Sequence, residues 1–106
     1  MSISERYRDL VADVQAMLGT LQADESLPQE REVRTVSQAA EGLGELKERV
    51  GEIPRIRLEA ELTPVLLKAH TQLDRGRLLL EELGAEDRAA ALWELEQKIY
   101  RLLNDL

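Results

Sequence analysis

The chain has 106 residues, of which 14 are Lys or Arg and 21 are Asp or Glu, giving a formal net charge of −7. This length supports a single helical domain spanning 1–106, because typical domains take roughly 100 to 200 residues, and a chain this short buries only about two thirds of its unfolded surface, so association between chains is an early expectation. The acidic excess lies in residues 1–24, 25–52 and 85–106, whereas 53–84 is neutral; a surface of this sign repels phosphate, and neither nucleic acid nor an anionic membrane is an expected partner.

Ile3, Tyr7, Leu10, Val14, Met17 and Leu21 recur at steps of four and three, one face of an amphipathic helix over about 3–23. Ser2 with Glu5 forms a capping-box pattern at its start. Asp24-Glu25-Ser26-Leu27-Pro28 breaks it. Ser26 with Gln29 offers a second capping pattern, and Pro28 suits a helix start because its missing N–H would have no partner there. Val36, Ala39, Leu43, Leu46 and Val50 then mark a second helix running to about Val50. Gly42 and Gly44 lie within it, which close packing on a neighbouring helix or simple tolerance explains; a dinucleotide loop would need a third glycine and a preceding strand.

Gly51 and Pro54 end the second helix, and the next segment reads two ways. Residues 55–62, Arg-Ile-Arg-Leu-Glu-Ala-Glu-Leu, alternate polar and apolar with the period of a strand, yet they are mostly strong helix formers. Arg55 with Glu59, and Arg57 with Glu61, would pair one turn apart on a helix. Residues 54–62 therefore either extend helix 3 or form an extended crossover. Nine extended residues would reach about 30 Å and set helices 2 and 3 parallel, whereas a helical segment makes them an antiparallel hairpin with Pro64 inside one long helix.

From Pro64 to Leu83 the seam is Leu66, Ala69, Leu73, Gly76, Leu80 and Leu83. Val65, Leu67, Leu78 and Leu79 fall around the remaining circumference, more apolar surface than one small bundle is expected to hide. Gly84 reads as a left-handed cap, and Glu86 and Asp87 suit the first turn of a fourth helix over about 85–104. Its inner face is Leu92, Leu95, Ile99, Leu102 and Leu106, with Trp93 and Tyr100 flanking it. The expected fold is all-α, an antiparallel four-helix bundle with coiled-coil-like seams.

The chemistry open to such a chain is narrow. There is no cysteine, hence no disulfide, thiolate nucleophile or Cys-based zinc site. The single histidine cannot supply the two Glu-x-x-His motifs of a di-metal carboxylate bundle, and zinc-protease and calcium-loop patterns are absent. Ser2, Ser4 and Ser26 sit where capping explains them, and Ser37 has no nucleophile-elbow setting. Neither a catalytic set nor a cofactor, metal or small-molecule substrate is expected. The first six residues lack the apolar core of a signal peptide, and the longest apolar run, Ala89 to Trp93, is far short of the ~20 residues that span a bilayer. A soluble cytoplasmic protein is expected.

His70 has Asp74 one turn on, a carboxylate able to hold the ring. Ala69-His70-Thr71 superficially resembles the signature of histidine-phosphotransfer domains, which are small acidic four-helix bundles. That resemblance implies a phosphoacceptor role for His70. Those domains place lysine three and glycine four residues beyond the histidine; here Leu73 and Asp74 stand there, the first unable to steady a phosphoryl group and the second repelling it. The favoured expectation is a non-catalytic helical interaction module of the adaptor, assembly-factor or chaperone type, forming a homodimer or higher oligomer and binding another protein. Leu67, Leu78, Leu79, Trp93 and Tyr100 are its candidate interface residues, and phosphotransfer through His70 is the alternative.

Overall fold

A computed structural model of residues 1–106 contains four α-helices and no strand: α1 (Ile3–Ala23), α2 (Arg31–Gly44), α3 (Arg55–Glu82) and α4 (Glu86–Asn104), with a 3-10 turn at Val50–Glu52. The expected all-α, antiparallel bundle is present. α1 packs on α2 and α4, and α3 packs on the same two, so α1 and α3 stand diagonally across a square. The directions alternate. Tyr7 near the start of α1 meets Leu43 near the end of α2, and Arg6 and Asp24 at the two ends of α1 pair with Asp105 and Arg88 at the opposite ends of α4.

The apolar seams read from the sequence meet in one cluster of 22 buried residues drawn from every helix. Burying so much aliphatic surface at about 25 cal/mol per Å² supplies the main drive for folding. Ser2 caps α1 by accepting from the Glu5 N–H at 3.1 Å, and Gly84 closes α3 in the left-handed conformation at φ 77°, both as the residue types require.

Of the two readings of residues 54–62 the helical one holds, and two other expectations are corrected. Residues 55–62 are helical, so the extended crossover does not occur, and α3 is one 28-residue helix through Pro64. Helix propensity and the Arg57–Glu61 pair at 3.2 Å outweigh the alternating pattern, which has no partner strand to satisfy it. α2 ends at Gly44 rather than near Val50; its seam continues as Leu46 and Val50, which stay buried from a turn and a 3-10 segment. α2 also starts at Arg31, with no cap from Ser26. Ser26 is instead folded onto the Asp24 carboxylate, which accepts from its N–H at 3.0 Å and its hydroxyl at 2.5 Å.

Of the two readings of Gly42 and Gly44, simple tolerance is the one that holds. A Cβ at Gly42 or Gly44 would meet nothing within 4 Å, so close packing does not explain them. The close approach is at Gly76, where a Cβ would lie 3.1 Å from Val36 and 3.2 Å from Leu92.

Candidate functional site

The outer face shared by α3 and α4 carries most of the apolar side chains that the bundle leaves in contact with solvent. Leu67 and Leu78 are each about half exposed, as are Trp93 and Tyr100. Eleven residues is close to three full turns, so Leu67 and Leu78 project within about 20° of each other along α3. Trp93 and Tyr100, seven apart, are likewise within about 20° on α4. Trp93 is thus not tucked into the core by a rotation of its helix. Leu79 is different: it is only partly exposed and projects about 100° from Leu78, toward the α2 side. Of the five candidates, four share one face and Leu79 does not.

One residue of this face escaped the sequence reading. Ile56 is 92 % exposed and stands eleven residues before Leu67, extending the Leu67–Leu78 line toward the start of α3. The signal was the spacing of eleven, hidden because alternation made 55–62 resemble a strand.

Between the two apolar rows lies a cluster of charged groups. Arg77 donates to Asp74 Oδ1 from Nε at 2.9 Å and from Nη2 at 2.8 Å, and to Glu81 at 2.7 Å. Its Nε is also 3.6 Å from Glu96 Oε2. Glu96 projects from α4 into the helix boundary and is 3 % exposed; its Oε2 has no hydrogen-bond partner. Burial, reinforced by the neighbouring Asp74 carboxylate and only partly opposed by Arg77, pushes the Glu96 carboxyl up to about 8. Burial also acts to raise Asp74, but the hydrogen bonds from Arg77 prevail and hold it below the usual carboxylate range.

Asp74 is therefore committed to Arg77 rather than to His70. The His70 Nε2 lies 3.6 Å from Glu96 Oε1, and its ring packs on Tyr100 with centroids 4.5 Å apart. Glu96 itself was legible as an acid one turn beyond Leu92, within about 40° of the centre of the α4 core face. Beside this cluster an open groove of about 450 Å³ runs between α3 and α4, floored by Ala89 and Ala90 and walled by Trp93, Arg77, Glu81 and Glu94. No group of three or more His, Asp or Glu is arranged to hold a metal ion, and no helix is long and apolar enough to cross a membrane. Compared with known proteins, the chain matches no family model, no curated protein and no solved structure.

Proposed function

We propose that the chain is a non-catalytic protein–protein interaction module, homo-oligomeric, acting in the cytoplasm as an adaptor, assembly factor or chaperone-like protein. Its working surface is the α3–α4 face. The observation that carries this reading is the alignment of Leu67 and Leu78 beside Trp93 and Tyr100, all half exposed on adjacent helices while 22 other apolar residues are fully enclosed. Apolar side chains aligned in two rows on one face, rather than scattered singly, suggest a contact site, and aromatic residues are frequent anchors in such contacts. The exposed acids around it keep the chain soluble and disfavour wrong partners. A cysteine-free chain suits a reducing compartment as well as any other.

The test is a substitution that touches nothing inside the bundle. Leu78→Glu should leave the helical signal and the unfolding midpoint within about 0.5 kcal/mol of the parent while weakening association with the chain's own copies or with its protein partner. Equal association of the parent and L78E in both assays would sink this reading.

A further inference from the structure

We propose that the groove between α3 and α4 receives an amphipathic helix of a different, basic protein, its apolar residues on the alanine floor and its arginines against Trp93 and the acids of the rim. This deepens the interaction-module reading and rests on it. The argument is the charge of the groove. Glu81, Glu86 and Glu94 line it beside Ala89, Ala90 and Trp93, and Arg77 is the one base among its lining residues. Arg77 is already held by Asp74 and Glu81, so its charge is neutralised within the chain. Glu86 and Glu94 are exposed and make no ion pair.

The other basic residues of these two helices turn to other sides. On α4, Arg88 pairs with Asp24 and Lys98 with Asp13, toward α1, and Arg101 lines the α1–α4 groove with Arg6 and Asp9. On α3, Lys68 lies against α2 beside Gly42 and Glu45. A second copy would bring another Glu81, Glu86 and Glu94 to the contact and, from its own groove, no free base to meet them. A basic chain complements them.

The remaining features specify what the basic partner presents. Trp93 offers a half-exposed indole, and a guanidinium stacks on such a ring while pairing bidentately with a neighbouring carboxylate, which favours arginine over lysine. Ala89 and Ala90 keep the floor apolar, and Leu67, Leu78 and Tyr100 continue the apolar surface along the two helices. A groove of this kind accepts a further helix by its apolar face. Glu86 and Glu94 stand about 12 Å apart along α4, so arginines seven or eight positions apart on the incoming helix meet both at once.

A defined probe tests this. A helical peptide of about 18 residues, long enough to span about 27 Å of the groove, carries leucines on one face, two flanking arginines seven positions apart, and no tryptophan. Added to the full chain, it should shift the emission of Trp93, the only tryptophan, and saturate below about 1 mM. The same peptide with glutamate in place of arginine should not bind. The E86K/E94K variant should weaken binding about tenfold or more. E41K/E48K makes the same change of charge on exposed positions of α2 and the turn after it, and should weaken binding less than about threefold, because screening confines the effect of distant charges. Equal binding of the two peptides, equal weakening by the two charge variants, or no binding at all overturns the proposal. So does a parent chain that dimerises where L78E stays single, since a second copy then covers the face. That outcome leaves the interaction-module reading standing, which falls when parent and L78E associate alike.

Discussion

The hydroxyl of Tyr7 donates to the backbone carbonyl of Leu43 at 2.5 Å, joining the first turns of α1 to the last turn of α2. Carbonyls in a last helical turn lack their usual N–H partner; the buried Leu43 carbonyl otherwise accepts only a long 3.4 Å bond from the Leu46 N–H. Burial, with Glu45 adding to it, also raises the Tyr7 hydroxyl far above the ordinary tyrosine range, so it remains a donor at any physiological pH. Tyr7→Phe keeps the ring and removes the donor. It should lower stability by about 1–3 kcal/mol, measured by urea unfolding, with little change in the slope of the transition.

Glu32 does for the start of α2 what a cap residue does elsewhere. Its carboxylate accepts from the N–H groups of Gln29 and Glu30, each at 3.0 Å, although it is 2 % exposed. Gln29, held at φ 60°, uses its side-chain amide to cap the end of α1 through the carbonyls of Leu21 and Asp24. Glu32→Ala should cost about 0.5–2 kcal/mol by leaving two part-buried N–H groups uncapped, and amide exchange should quicken at residues 29–34 before it does in α4. Uniform exchange across the bundle would contradict this capping role.

The glycines make an opposed pair. Gly42→Ala adds a methyl group to open space inside a helix and should stabilise the chain by up to about 1 kcal/mol. Gly76→Ala gains the same propensity but forces its new carbon against Val36 and Leu92, and overpacking of this kind costs about 1–3 kcal/mol. Thermal melts of the two variants should shift in opposite directions.

The buried acid at the α3–α4 boundary sets a pH dependence. In the unfolded chain Glu96 releases its proton near 4.5, whereas in the folded chain it does so near 8. Between those values the folded state binds the extra proton, so stability falls as pH rises through the window and levels off above it. His70, Asp74, Arg77 and Glu81 face the same carboxyl from α3, and Glu96→Gln leaves them in place. The parent should lose stability from about pH 5 to pH 8 relative to E96Q, and at pH 8 the variant should be the more stable by on the order of 1–3 kcal/mol. Parallel stability curves for the two proteins would refute the assignment.

Much of the bundle was legible because Leu66, Leu73 and Leu80, and likewise Leu92, Ile99 and Leu102, repeat at spacings that admit one geometry. Half exposure of Leu67, Leu78, Trp93 and Tyr100 followed from the same spacings, since each falls off its seam by a fixed angle. What escaped depends on contacts between segments distant in sequence. Alternation at 55–62 and a seam reaching Val50 are local patterns, and the tertiary outcome was decided by where the turn after Gly44 could bury Leu46 and Val50. Glu32, Glu96 and Tyr7 act through groups that only the assembled bundle brings within reach, so composition and spacing carried little trace of their roles.

At 28 residues α3 is about 42 Å long, nearly the whole 44 Å of the molecule, and it outruns α4. Among residues 55–60 only Leu58 packs against the interior. A rod clamped along its later turns and loose at its beginning frays from Arg55 inward, and Leu62 is the first fully enclosed side chain that this fraying would wet. Unraveling of the molecule thus has a built-in starting point, and proteases that nick helices from loose ends should enter there first.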